Sequence, residues 1–341
     1  MSRSRPTILG GPIMKVLVTG GTGFLGQLLV NKLVEYGHQV RISVRKQTSA
    51  ESLRHLPIEI VEGDVTDAES MLRASQNVDV VFHLAGLIAY SKSQRRQMDL
   101  VNIGGTKNVV DACEKNQIPK LIHLSSVVAV GASFEPNALN EEAAYNIAHL
   151  NLGYFETKHA AELIVKNATD AGRIRSVMIN PSTIYGPGDA EKGSRKVQVK
   201  VAQGRFMFYP PGGVNVVDAD DVVDAIVTAP SKGRNGERYI LAGENLYIKE
   251  LFKIIADTAG QRPPWIPLSK NILFALGHIG DWLERHGKSG PLTTENAWTS
   301  CLFHWFDSTK AQTELGFKSK PAAVSIEKSV RWMRDHGLLD Q

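Results

Sequence analysis

A β-branched apolar run, Val16-Leu17-Val18-Thr19, stops at Gly20-Gly21-Thr22-Gly23-Phe24-Leu25-Gly26, and a helical pattern of Leu25, Leu28, Leu29 and Leu33 starts at once. Glycine recurs at 20, 23 and 26. This spacing predicts a strand that turns sharply into a helix. The first glycine makes the turn, the second lets backbone approach a pyrophosphate, and the third lets helix and strand pack closely. The first N–H groups of the helix and its dipole then form an anion site. The stretch reads as a dinucleotide site at the start of an α/β fold.

At 341 residues the chain has room for one large α/β domain, or for one domain with a smaller lobe. Its net charge of +4 is spread without a basic block, which argues against nucleic acid as a partner. Cys113 and Cys301 lie far apart and lack metal-ligand spacing, so two unpaired thiols in a reducing compartment, and no metal, are expected. Residues 1–13 carry Arg3, Arg5, prolines and glycines but no apolar stretch of signal-peptide length. They are expected to be a disordered leader, with Met14 as an alternative start. The longest apolar runs, such as 272–276, are far short of the roughly 20 residues that span a bilayer. A soluble, cytoplasmic protein is expected.

Downstream, strands and helices alternate, which predicts a doubly wound parallel sheet of the Rossmann type. A second strand ends in Arg45-Lys46, with no carboxylate until Glu51. An acidic residue there would accept the ribose hydroxyls of NAD. Two cations suit the 2′-phosphate of NADP instead, with a solvated strand end as the plain alternative. A third strand leads to Gly63-Asp64-Val65, and a nearly all-apolar fourth, 78–84, closes with Ala85-Gly86. Asn102-Ile103-Gly104-Gly105-Thr106 is expected to open a helix. A fifth strand delivers Ser125-Ser126, and a sixth delivers Asn180-Pro181. Ligands bind beyond the carboxyl ends of strands in such sheets, and all of these residues fall there.

Tyr154 and Lys158 stand four residues apart, on one face of a helix. A tyrosine is normally near pKa 10. A lysine charge beside it, with an oxidised nicotinamide, would favour the phenolate. The hydroxyl can then donate a proton to a carbonyl being reduced, or take one from an alcohol being oxidised. Ser126, at a strand end, can hydrogen-bond the same substrate oxygen.

Together these motifs resemble the extended short-chain dehydrogenase/reductases, also described as the NAD-dependent epimerase/dehydratase family. The likeness rests on Thr19 to Gly26, Asp64-Val65, His83 to Gly86, Asn102 with Gly105-Thr106, Ser125-Ser126, Tyr154 to Lys158, and Asn180-Pro181 through Tyr185-Gly186-Pro187-Gly188-Asp189. It implies a catalytic trio of Ser126, Tyr154 and Lys158. It also implies a cofactor held by Gly20, Thr22, Gly23, Phe24 and Leu25, with Arg45 and Lys46 at the ribose. Asp64 and Val65 would hold the adenine, and Leu84, Ala85, Gly86, Pro181 and Ile184 would line the rest, alongside Tyr154 and Lys158. The segments Val40 to Arg45, Gly236 to Asn245 and Ser308 to Ala311 resemble the dihydroflavonol 4-reductase-like branch. Asn180, and Asn215 to Asp218, depart from the arginine-bearing pattern of the nucleotide-sugar enzymes.

The resemblance implies an NADP-binding part over 14–185 and about 214–242, with a substrate lobe from 186–213 and 243–341. It implies an NADP-dependent oxidoreductase acting on the ketone or secondary alcohol of a cyclic, dihydroflavonol- or steroid-like molecule, with NAD as the other possible cofactor. A nucleotide-sugar epimerase or dehydratase and a non-enzymatic NADP-binding regulator are the alternatives. The helices near Asn102 and Tyr154 are expected to pair in a homodimer through outward-facing Val110 and Leu163. His83 and His123 read as satisfied core histidines, and Asp218, Asp220, Asp221 and Asp224 as helix capping. Phe206, Phe208 and Tyr209 read equally as pocket lining or lobe core. The loop Leu87 to Tyr90 is expected to meet the substrate.

Overall fold

The computed structural model describes residues 12–191, 195–288, 290 and 292–339, with backbone alone at 47–49. The expected leader, but for Pro12 and Ile13, lies outside the described residues. Strands β1 (Lys15–Thr19), β2 (Gln39–Val44), β3 (Glu59–Glu62), β4 (Val80–His83), β5 (Lys120–Leu124), β6 (Ser176–Pro181) and a later strand, Arg238–Leu241, form one sheet. The last strand lies at one edge beside β6, and from there the order is β5, β4, β1, β2, β3. Every pairing in it is parallel. The strands are apolar runs because both faces are covered. β4 is buried at all four positions.

On one face lies the cluster that holds α1 (Phe24–Glu35), with Leu29, Val30 and Leu33 against Val16, Val18 and Ile42. On the other lie α2 (Ala68–Ala74) and two long helical stretches. The first runs from Arg95 through Lys115 as α3 (Arg95–Met98), a π-helical turn (Asp99–Gly104) and α4 (Gly105–Lys115). It therefore begins seven residues before Asn102, the expected start. The glycines at 104 and 105 do not open it. A Cβ at Gly105 would come 2.9 Å from Val65 Cγ2, so the glycine instead lets α4 press close to the chain beyond β3. The second stretch is α5 (Gly153–Asp170).

Val110 is buried, not outward-facing, because α4 is wedged between α2 and α5 and so has two covered sides. Leu163 is exposed as expected.

Beyond β6 come β7 (Thr183–Tyr185), α6 (Lys196–Ala202), β8 (Phe208–Tyr209), β9 (Gly213–Asp218) and α7 (Ala219–Lys232). The edge strand Arg238–Leu241 is β10, and β11 (Glu244–Tyr247), α8 (Ile248–Ala259), β12 (Ile266–Pro267) and α9 (Lys270–Arg285) follow. Helices α10 (Thr294–Cys301), α11 (Thr309–Leu315) and α12 (Ala322–Asp335) finish the chain. A small sheet, β11-β9-β7, carries a separate cluster of Tyr185, Val216, Leu251, Phe252, Ile255, Ile326 and Val330. Phe206 and Tyr209 pack half-buried against that cluster, and Phe206 meets Phe208 edge-on. Asp218 caps α7 and, with Asp220 and Asp221, is bound by Lys320 and Lys328, while Asp224 pairs with Lys32. Both cysteines are buried and free. Among the described residues no helix is long and apolar enough to cross a membrane.

Candidate active site

The glycine turn shapes the opening of the site. Gly20 has φ +73°, a conformation that favours glycine, and a Cβ there would come 2.7 Å from the Ala85 nitrogen. A Cβ at Gly26 would come 2.1 Å from the Gly20 oxygen, so α1 can approach the turn only without one. Gly23, exposed at the helix N-cap, gives no side-chain cap, and the first turn of α1 carries no acidic residue. An open helix start with no carboxylate fits the phosphates of a dinucleotide. Thr22 accepts from Gln27 Nε2 at its carbonyl, and the Leu25 side chain is buried in the core.

Around this turn the structure gathers most of the residues expected for a cofactor. Phe24, Leu84 and Ile184 lie half-buried at the rim of one cluster, and Pro181 ends β6 beside Leu241. Ala85 donates its N–H to Thr19, and Gly86 stays exposed. Asp64 accepts at one carboxylate oxygen from both the N–H and the hydroxyl of Thr66, each at 2.9 Å. Val65 turns its side chain into the core against α4. Arg45 and Lys46 are exposed just past β2 and make no ion pair among the described residues.

Ser126 follows β5 and caps a short turn, accepting from the Val128 N–H at 3.4 Å. Tyr154 and Lys158 occupy the first two turns of α5, and both are buried. Burial raises the Tyr154 phenol well above its usual range, Tyr90 adds to the rise, and the nearby Ser126 hydroxyl pulls the other way. Within the chain itself, desolvation of the phenolate outweighs the pull of its neighbours, whereas the expected lowering joins the Lys158 charge to that of an oxidised nicotinamide. Burial also brings the Lys158 ammonium down to about 8, against the pull of Glu162. Its Nζ donates to the Leu124 carbonyl at 2.8 Å.

Glu162 was not legible in the sequence. It stands one further turn along α5, so Tyr154, Lys158 and Glu162 share a face. Its buried carboxylate accepts from Asn180 Nδ2 at 2.6 Å and from the Ser125 hydroxyl, and it pairs with Arg238. Asn180 also donates to the Ser126 carbonyl at 3.0 Å. One carboxylate therefore ties β5, β6, β10 and α5 together directly beneath Ser126.

Asn102 works on the other side. It accepts from the Leu87 N–H at 2.7 Å and donates to the Leu87 carbonyl and the Thr157 hydroxyl. This clamps the loop after β4 to α5. Tyr90 then stands edge-on to Tyr154, 5.9 Å between ring centroids, in an apolar cluster with Leu87, Ala89, Leu152 and Trp298. His83 is satisfied by Thr19 and Thr106, and burial holds its imidazole down at about 3. His123, 5.4 Å away ring to ring, is buried with neither nitrogen hydrogen-bonded among the described residues, so there only the first of the two matches a satisfied core histidine.

A parallel sheet with a glycine turn after β1, a serine after β5 and a Tyr-x-x-x-Lys helix defines the extended short-chain dehydrogenase/reductase class. Residues 17–252 match the 3-beta hydroxysteroid dehydrogenase/isomerase family, and the chain belongs to that family. It is 28% identical to a Synechocystis protein that carries a dihydroflavonol 4-reductase name, over 94% of each chain. It is 30% identical to the 2-alkyl-3-oxoalkanoate reductase of Stenotrophomonas maltophilia, over 94% of this chain and 98% of that one. The dTDP-glucose 4,6-dehydratase DesIV of Streptomyces venezuelae, solved with NAD bound, shares the fold, with a TM-score of 0.76 at 20% identity over 96% and 99% of the two chains. The chain is an NAD(P)-dependent enzyme of the reductase, epimerase and dehydratase class.

Proposed function

We propose that the protein is an NADP-dependent reductase of a ketone on an apolar, cyclic or alkyl-chain substrate. The observation that carries this reading is the setting of Tyr154. Its neighbours are Tyr90, Leu87, Ala89 and Trp298, surroundings that suit an apolar carbonyl better than a sugar diphosphate. The reduced nicotinamide, when bound, supplies the hydride. Tyr154 donates the proton to the substrate oxygen. A raised phenol pKa suits that role, since the group stays protonated until the oxygen takes on charge. Ser126 orients the same oxygen. Lys158, held by the Leu124 carbonyl and kept charged by Glu162, lowers the cost of the phenolate that forms. Arg45 and Lys46, with no ion pair among the described residues, would take the 2′-phosphate. The part of the chain around β8, α8, α9 and α10 would cover the substrate, as the expected lobe.

The name of the Stenotrophomonas relative, a reductase of 2-alkyl-3-oxoalkanoates, supports an oxo group on an apolar body. The test is a thermal-shift screen in the presence of NADPH. A ligand at 100 times its dissociation constant adds about 2.7 kcal/mol to stability. Cyclic ketones or alkyl oxoalkanoates should raise the melting point. A rise with UDP- or dTDP-sugars alone would replace this reading with the epimerase one.

A further inference from the structure

The loop after β4 runs from the candidate site to helix α9. Tyr90 stands edge-on to Tyr154, and its carbonyl is held by Thr293 and Asn296 at the start of α10. Two residues on, a reach of at most about 7 Å along the backbone, Lys92 pairs with Asp281 of α9 at 3.1 Å. Here α9 presses on the start of α10, since a Cβ at Gly277 would come 3.0 Å from Thr294 Cα. Trp298 of α10 joins the two regions. It lies edge-on to Phe274 of α9, 4.7 Å between ring centroids, and it packs in the cluster that holds Tyr154.

Between these elements lies a cleft of about 480 Å³, with Lys92, Phe274, His278, Trp282, Arg285 and Trp298 in its walls. Sites for small molecules run to roughly 300–1,000 Å³. The residues from α9 recur at intervals of three and four, so one face of the helix supplies them. Three of the walls are aromatic rings. Asp281 also lines the cleft, but its carboxylate is engaged by Lys92 and by the N–H and hydroxyl of Thr294, at 3.1 and 2.7 Å. It balances Lys92. Arg285 is exposed and makes no ion pair among the described residues, and the exposed His278 adds a ring N–H one helix face-turn away. The cleft is therefore apolar in its walls, with one cation left over.

We propose that this cleft holds the acidic far end of the substrate, so that the enzyme acts on oxo acids whose carboxylate lies several carbons from the ketone. The inference rests on the reading of Tyr154 as the group that protonates a ketone. With the oxo group at Tyr154, the apolar body passes along Trp298 and Phe274, and the carboxylate meets the planar fork of Arg285. A sugar diphosphate fits these walls less well, since three rings and a single unpaired arginine offer little to its hydroxyls and its two phosphates.

The test uses straight-chain methyl ketones that end in a carboxylate, over a series of chain lengths, beside their methyl esters. Past the length that spans the two regions, the acid should have a KM about tenfold below that of its ester, the worth of one charge-assisted contact. Arg285→Gln should close that gap, while Lys288→Gln, outside the cleft, should leave it. Calorimetric titration of the NADPH-loaded protein with the saturated fatty acid of the same length gives a readout free of turnover. That acid should bind in competition with the ketone, and about tenfold more weakly to Arg285→Gln. Equal KM values for acid and ester at every length would overturn the proposal, as would a gap that both variants reduce alike. Binding of the saturated acid without competition would make the cleft a separate acid site, and would overturn the assignment to substrate. If no ketone is reduced while the saturated acid binds and Arg285→Gln weakens it, the reductase reading fails and the acid-binding cleft stands.

Discussion

Tyr154, Lys158 and Glu162 share one face of α5, and Tyr154 and Glu162 each give a separate expectation. Tyr154→Phe should cut turnover by about 10²–10⁴-fold, the usual worth of a general acid, while leaving cofactor binding nearly intact. Retention of more than about a tenth of turnover would remove the phenol from the chemistry. Glu162→Gln keeps the shape of the side chain and removes its charge. The Lys158 ammonium then loses the neighbour that raises it, so the alkaline limb of the activity profile should move to lower pH. The variant also leaves Arg238 without its partner, a loss of about 3 kcal/mol or less given that Arg238 is partly exposed. A structural role alone would lower the melting point and leave the pH profile in place. The two histidines give a third expectation. Buried His83 stays neutral in the fold down to about pH 3, while in the unfolded chain it takes up a proton near its ordinary value. Its contribution is complete above that ordinary value and is lost as pH falls toward 3. His123, also held down by burial, acts in the same direction. Denaturant midpoints should therefore fall as pH drops below about 6.5, and His83→Gln should flatten that slope.

At the scale of elements, the proposed preference for NADP rests on the end of β2. Charge-assisted bonds to a phosphate are worth about 1.5–3 kcal/mol, so NADPH should bind tighter than NADH by roughly one to two powers of ten. Arg45→Ala should remove most of that gap by weakening NADPH alone, as fluorescence titration of both reduced cofactors would report. Equal affinities in the wild type would mean that Arg45 faces only water. This strand end, the glycine turn and the Tyr-x-x-x-Lys face were legible because each is local, a few residues whose spacing fixes their geometry. Glu162 was not, because its partners Ser125, Asn180 and Arg238 come from three different strands and only the fold unites them. Short elements without a period, such as β7, β8, β12 and α10, were equally silent. The start of the helix at Arg95 was hidden by the two glycines, whose role is close packing. Val110 misled for a related reason, since periodicity locates one apolar face and cannot show that a neighbour covers the second.

On the scale of the whole molecule, the parallel sheet brings β1, β4, β5 and β6 to one edge, where the glycine turn, Ala85, Ser126 and Pro181 meet. The later segments close over that edge from the other side, through Thr293 and Asn296, which donate to the Tyr90 carbonyl. The central claim is that this arrangement performs net reduction of an apolar ketone. It is tested most directly by following the absorbance of NADPH as purified protein is mixed with alkyl oxoalkanoates or cyclic ketones. Consumption of NADPH in step with loss of the ketone, slowed by about 10²–10⁴-fold in Tyr154→Phe, is the outcome the account requires. Conversion of a UDP- or dTDP-sugar to its epimer with no net change in NADPH, and no reaction with any ketone, would contradict it.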